Sequence, residues 1–549
     1  MANKKFSEFT LKTDPANVDF LVGYDGSDNV RIDPSNLGGG GASDLNGLSD
    51  VSVDLSSDNA FLINTSPYAN LTSGTKNLII GEGAGNALRN SASGNICVGY
   101  NAGSINQLGS GGVAIGNSSA TTSGGIKNGF VAIGENSGAS DYGVCLGYYA
   151  NGLAAGGSGI VAISFQAARF NTADYHISIG HSAGFSQTSG AQNTNLGYEA
   201  GYSNTTNAFR TCVGYQAGKL NTGTGNTFIG QKAGGSRANS EGHSTAVGNA
   251  AGRYWESGSN TALGENAGQY ANGTSRYNVM VGREALGGAF GSKSNNVAVG
   301  YKSGWAATTG GNNVFVGYEA GVAHTTAQQS TIIGYHAGLQ ITTANNNTLI
   351  GHQAGVAVTG AENTLIGTFC GRTLTSGTTN TMVGVGYNGG GVTTGSNNTL
   401  IGNAAAATST SVSNEITLGN SSVTSLRCAV TSITSLSDER DKSEIKDLEY
   451  GLAFIDALQP REFVWDNRPE TTVEVDEDGN ETEVEFYSAN KGKKDFGFIA
   501  QEVRELDNDT LRLVYSENEE RLELSYGKLV PILVKAIQEL KEEVELLKS

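Results

Sequence analysis

The stretch Asn226-Thr-Phe-Ile-Gly230-Gln-Lys-Ala-Gly234 recurs along the chain, for example as Asn260-Thr-Ala-Leu-Gly264-Glu-Asn-Ala-Gly268 and Asn347-Thr-Leu-Ile-Gly351-His-Gln-Ala-Gly355. Aligned on the first glycine, the copies run from Gly81 to Gly419. There are 21 of them, at a mean period of about 17 residues, and Ser164 once takes the glycine's place. A short fixed period predicts a solenoid, in which each repeat packs on its neighbours. Seventeen residues cannot hold a strand and a helix, so the expectation is a β-solenoid of short strands.

The residue before the glycine is Ile, Val or Leu in every copy, and two earlier it is mostly Thr, Val or Ile. This alternation predicts a short strand that buries the face carrying those two positions. The position between them is often apolar too (Ile79, Cys97, Phe228, Met280, Phe315, Leu365). The second face is therefore expected to be covered as well, most simply by other chains. The glycine turns the corner, where positive φ or close backbone approach excludes a Cβ. Three residues on, the side chain is small in all copies but that of Tyr387, which predicts a tight corner or a crowded axis. Asn recurs four before the glycine and is placed to form a side-chain ladder. The units Asn296-Val-Ala-Val-Gly300 and Val131-Ala-Ile-Gly134 resemble the head repeats of trimeric autotransporter adhesins, which implies a trimeric shaft.

Composition agrees. Glycine numbers 79 of 549 residues, about twice the usual share of roughly 7%. The net charge is −18, which argues against a nucleic-acid partner. Residues 437–549 hold 15 basic and 30 acidic residues, and proline is missing between Pro67 and Pro460. Such a break marks a domain boundary near residue 437, and the run Gly38–Gly41 reads as a linker. No signal peptide is expected from Met-Ala-Asn-Lys-Lys-Phe, and no run of about 18 apolar residues spans a membrane.

Two mimics of functional motifs sit inside the array. Gly180-His-Ser182-Ala-Gly184 mimics a nucleophile elbow and Gly384-Val-Gly386-Tyr-Asn-Gly389 a dinucleotide loop, but both are in register with the repeat and lack a strand-to-helix context. Cys97, Cys145 and Cys212 read as buried fillers. The six histidines lack ligand spacing, so no metal and no cofactor is expected. Tyr follows the glycine at 100, 148, 198, 215, 301, 318 and 335, as an aromatic ladder or a sugar-binding strip. Tyr254 and Trp255 are the candidate glycan contact.

The acidic domain opens with Leu436-Ser437-Asp438-Glu439-Arg440-Asp441-Lys442. From spacing, Ser437 caps a helix with Asp438 and Glu439 in its first turn. Ser437 and Lys442 meet only if a turn intervenes. Ser-Asp-x-Arg-x-Lys, followed by Gly497-Phe-Ile-Ala-Gln-Glu502 and a C-terminal helix, resembles the intramolecular chaperone domain of phage tail fibres and endosialidase tailspikes, the self-cleaving peptidase S74 family. That resemblance implies Ser437 as nucleophile, Lys442 as base and Leu436–Ser437 as the scissile bond; Asp438 and Arg440 match the motif without a separate role. Lysine serves as a base only when desolvation or a cationic neighbour such as Arg440 lowers its pKa.

Val473 to Phe486 reads as a hairpin around Asp478-Gly479. In the last helix Val530, Ile537 and Val544 fall at heptad a, and Leu533, Leu540 and Leu547 at d. β-branched a with Leu d favours two strands, whereas the resemblances imply three; a stripe packed within its own domain is the alternative. Phe6 to Ile32 alternates like two strands around Asp25-Gly26, and Leu45-Asn-Gly-Leu-Ser-Asp-Val51-Ser-Val resembles a segment near the start of phage fibres.

The organisation expected is a virion-anchoring β domain (1–37), a linker and collar (38–76), a trimeric β-solenoid shaft (77–423), a connector (424–436), and a small α+β chaperone domain (437–549) ending in a coiled-coil-like helix. The function expected is host attachment as a homotrimeric tail fibre in the virion. Its partners are phage baseplate or tail proteins at the N-terminus and a host glycan or outer-membrane component. The chaperone domain is released in the host cytoplasm. The rival is a tailspike that degrades polysaccharide. It needs two carboxylates about 5 to 9.5 Å apart in a groove, but acids are sparse in the array and no inserted loop is evident.

Overall fold

The computed structural model describes residues 75–549 apart from short internal stretches, 428–436 among them, and upstream of residue 75 only three strands. Two of these, Phe20–Tyr24 and Asn29–Ile32, pair antiparallel; the Asp25-Gly26 turn expected between them lies outside the described residues. The chain divides into two compact units, Met1–Lys302 and Ser303–Ser549.

Both units contain a parallel β-solenoid. In the first, three-residue strands run from Phe61–Ile63 to Val297–Val299; in the second, from Val314–Val316 to Ile416–Leu418. Within each unit, each strand pairs in register with the strand one repeat on, as in Ile177↔Thr194, Ser178↔Asn195 and Ile179↔Leu196. One 17-residue repeat is therefore one coil. The fold is mainly β, as the period implied.

The direction of the strand faces differs from expectation. The middle residue of each strand, not its two flanks, points into the coil. Ile79, Cys97, Phe228, Met280, Phe315 and Leu365 are fully buried within the single chain. The flanking Thr, Val, Ile and Leu residues point outward and stay half-buried or exposed, Leu263 and Ile229 among them. The reason is room. A 17-residue coil has one narrow lumen, and a three-residue strand can send only one side chain into it. The Ala three after the glycine, as in Ala217 and Ala320, is also fully buried. Large lumen side chains sit where a glycine of the same or the preceding coil leaves space: a Cβ on Gly321 would lie 2.6 Å from the Phe315 ring, and one on Gly268 2.5 Å from the Met280 sulfur.

The corner glycine is required twice over. Gly214 has φ +129, and a Cβ on it would lie 2.6 Å from the Gly230 carbonyl oxygen of the next coil. Ser164 takes the same corner with φ +106.

The Asn ladder forms inside the coils. Asn363 Oδ1 accepts from Asn380 N (3.0 Å) and Asn380 Nδ2 (3.1 Å), while Asn363 Nδ2 donates to Gly377 O (3.0 Å). The same contacts link Asn278 to Asn296 and Asn380 to Asn398. Each buried amide thus satisfies the strand-start N–H of the next coil, which has no ladder partner of its own. Arg210 takes an Asn position in this row. Its backbone N–H donates to Asn193 Oδ1 (2.9 Å), but its buried guanidinium Nε and Nη1 have no hydrogen-bond partner.

The C-terminal region has helices α1 (Leu452–Ala457), α2 (Ala500–Asp507) and α3 (Leu529–Lys548). Strand Arg461–Val464 pairs antiparallel with Lys494–Gly497, and Glu470–Val475 with Glu481–Phe486; the Asp478-Gly479 turn between the latter two lies outside the described residues. The core is Phe454, Leu458, Val503, Leu513, Val514, Leu529 and Ile532. Asp507 caps a loop beside it, its carboxylate accepting from Leu511 N (2.5 Å) and Leu513 N (2.8 Å). Glu539 on α3 accepts from Leu452 N (2.7 Å), fixing α1 to α3 and holding the Glu539 carboxyl below its ordinary range. The helix buries Leu529, Ile532 and Ala536. The a/d stripe of Val530, Leu533, Ile537, Leu540, Val544 and Leu547 is left exposed, so it does not pack within its own domain.

Candidate functional site

Ser437 and Lys442 come together through one turn. Residues Glu439–Asp441 form a single 3-10 turn, and Lys442 N donates to Glu439 O (3.1 Å) to close it. Asp438 is the capping residue, with its carboxylate accepting from Arg440 N (2.9 Å). The cap is thus Asp438 and not Ser437, and no α-helix follows. Arg440 folds back on the same carboxylate through Nε (3.0 Å) and Nη2 (2.6 Å). A bidentate pair of this kind is geometrically stiff, and it holds the Asp438 carboxyl below its ordinary range. The turn reverses the chain by the amount that five residues of helix would not. Lys442 Nζ then lies 2.6 Å from Ser437 Oγ and 3.3 Å from Ser437 O.

This distance is within reach of direct proton transfer. Nζ donates to Oγ here; base catalysis requires the reverse, with Oγ–H donating to Nζ. Residues 437–442 are all exposed in the single chain. Arg440 is neutralised by Asp438, so it does not act as the unpaired cation that the sequence suggested beside Lys442. The positioning role of Asp438 and Arg440 was not read from sequence. Its signal is the acid–x–basic–x–lysine spacing of Asp438, Arg440 and Lys442, which a 3-10 turn closes into a ring.

Residues 437–512 match the family model Peptidase_S74, described as chaperone of endosialidase. This C-terminal region is therefore similar to the chaperone of endosialidase. The match begins at Ser437 itself, and α3 lies beyond its end. No curated protein and no solved structure matches the chain.

The remaining sites fall as follows. Leu436 lies outside the described residues. Trp255 is only 2% exposed, and its indole N–H donates to Gly268 O (2.9 Å). It is a lumen side chain and is not available to a glycan in this chain. Tyr254 is half-exposed, stacked on Tyr270 at 5.2 Å, with Arg253 at 5.0 Å from its ring. Ser182 is buried in a coil corner with no helix after it, and the dinucleotide-loop mimic at Gly384–Gly389 falls partly outside the described residues. Burial pushes the Cys97 and Cys145 thiols up to about 12, as inert fillers require. Tyr148, Phe165, His181, Tyr198 and Tyr215 stack in series at 4.9 to 5.2 Å. Stacked so closely, they turn edges rather than faces to solvent. Among the described residues no group of three or more His, Cys, Asp or Glu side chains is placed to hold a metal, and no helix is long and apolar enough to cross a membrane.

Proposed function

We propose that the chain is a phage tail fibre for host attachment, built as a homotrimer by a C-terminal chaperone that cuts itself off at Leu436–Ser437. The observation that carries this reading is the 2.6 Å approach of Lys442 Nζ to Ser437 Oγ at the first residue of the family match. The scissile nitrogen is Ser437's own. Neutral Lys442 takes the Oγ proton, and Oγ attacks the Leu436 carbonyl carbon through a five-membered ring. The C–N bond breaks, the Ser437 amine receives the proton, and Leu436 is left as an ester on Oγ. Water then hydrolyses the ester. No oxidant, metal or cofactor enters the balance.

Two exposed apolar surfaces support assembly from several copies. One is the outward ridge of Val, Ile and Leu on the solenoid strands; the other is the α3 stripe. Surfaces of this extent mark interfaces. In the trimer they would be covered, and the dyad would lose water on assembly, which favours the neutral amine. Cleavage then follows folding, and the released shaft has lost its folding aid, so its stability becomes kinetic.

The test is intact mass and gel migration of the wild type beside Ser437→Ala and Lys442→Ala. A fragment ending at Leu436 in the wild type, lost in both variants, is expected. An uncut wild-type trimer would refute self-cleavage. Added hydroxylamine should leave a hydroxamate on Leu436 if the ester forms.

A further inference from the structure

A row of aromatic rings on one edge of the first unit has no structural explanation. Two residues before the first residue of each strand, the backbone is left-handed. Tyr142, Tyr175, Phe209, His243 and Tyr277 occupy this position with φ between +54° and +63°. They precede the strands Val144–Leu146, Ile177–Ile179, Thr211–Val213, Thr245–Val247 and Val279–Val281, which take every second place in one continuous parallel register. The coils between them place Gly159, Gln192, Gly225 and Ser259 at the same point.

Neither local nor packing energetics accounts for the rings. Left-handed φ suits Gly and Asn and costs a bulky side chain about 1 kcal/mol or more; in later coils Asn295, Asn312 and Asn346, but also Gln329, Glu362 and Thr379, fill this position. The rings gain little burial in return. Tyr142 is 69% exposed, and Tyr175, Phe209 and Tyr277 are 64% exposed. Each seat that can be traced is a glycine one coil back: a Cβ on Gly129 would lie 3.1 Å from the Tyr142 ring, on Gly159 2.9 Å from Tyr175, and on Gly225 3.5 Å from His243. A ring laid on a bare backbone keeps its opposite face open. Exposed rings seated on glycines and repeated in register every second coil point to a ligand.

We propose that these five rings form a rail for an extended, uncharged, β-linked glycan lying along the coil stack. Two coils advance about 9.6 Å, comparable with a disaccharide unit in an extended chain. Each ring therefore meets the same face of every second sugar, where C–H groups pack on the negative π face. Rings so far apart cannot share one planar ligand, and a straight periodic rail suits a straight periodic polymer. A single-stranded nucleic acid would also stack, but the carboxylates of Asp141 and Asp174 beside the rings repel phosphates. Asp141 and Asp174 stand directly before two of the rings, each with one oxygen accepting a neighbouring backbone N–H (2.7 Å), and they offer acceptors for hydroxyls. This rail rests on the attachment reading and deepens it by naming its receptor class.

The test is titration calorimetry of the full chain with cellohexaose, chitohexaose and mannohexaose, for the wild type and the triple variant Tyr142→Asn/Tyr175→Asn/Phe209→Asn. Asn fits the left-handed backbone, so the variant should keep its mass in solution and lose no Tm. Binding of at least one hexasaccharide, weakened about tenfold or more in the variant, is the expected result. No binding by the wild type, equal binding by the variant, or a variant that falls apart into single chains would overturn the proposal, the last by showing that the rings pack between copies. Adsorption of both proteins to host cells separates the two readings. A variant that still adsorbs like the wild type overturns the rail and leaves attachment standing; a wild type that does not adsorb refutes attachment, while its hexasaccharide binding still decides the rail.

Discussion

Ser164 shows at the residue scale what the corner costs. It adopts φ +106, a region open in practice to glycine. Ser164→Gly should therefore stabilise the chain by about 1 kcal/mol, read as a higher midpoint in chemical denaturation. Lys293 makes another case. It is fully buried, donates to Leu286 O (3.0 Å) and Ala289 O (2.9 Å), and burial lowers its pKa from 10.5 to about 7. Between those values the unfolded chain holds a proton that the folded chain has released. Stability should therefore rise with pH from about 7 toward 10.5, by at most about 1.4 kcal/mol per pH unit. In Lys293→Met that slope should flatten, which a Tm series from pH 6 to 10 would register. An unchanged slope would mean that Lys293 is solvated.

At the scale of the element, the coil is held by its Asn rung as much as by its lumen. Asn363→Ala would leave the Asn380 N–H and the Gly377 carbonyl without their buried partners. A loss of about 2 to 4 kcal/mol is expected, since each orphaned group costs about 1 to 3 kcal/mol. Hydrogen exchange at Asn380 should accelerate with it. If the exchange rate stayed unchanged, the rung would be incidental. Repeat energies are nearest-neighbour terms, so the effect should be largest in the coils adjoining the substitution.

The proposed assembly and self-cleavage meet at the scale of the whole molecule. The α3 stripe is exposed in the single chain, with Ile537 65% accessible, and the dyad is formed but open to water. If assembly supplies the missing desolvation, Ile537→Asp should abolish both the trimer and the cut, although the substituted residue is far in sequence from Ser437. Light scattering and intact mass on one sample would test this. A single-chain species that still cleaves would separate the two events.

Much of this was legible in the residues. The 17-residue period implied a β-solenoid of short strands, because a strand and a helix do not fit that length; the in-register pairing of successive strands then made each repeat one coil. Its glycine and Asn positions carried the corner and the ladder. The Ser437–Lys442 pair came from motif resemblance, since linear spacing alone suggested a helix cap. The residues did not reveal which strand face turns inward, because both faces are apolar and only closure of the lumen chooses between them. They suggested a surface Trp255 where the fold buries it, because the local pattern says nothing about lumen volume. The ring row from Tyr142 to Tyr277 escaped a 17-residue reading, since it repeats every two coils. Period, composition and corner chemistry are local properties, so the order of residues carries them unaided. Which face is inside, how a turn brings an amine to a hydroxyl, and which rings align along an edge depend on contacts between residues distant in the chain, and these were settled only when the coils closed and stacked.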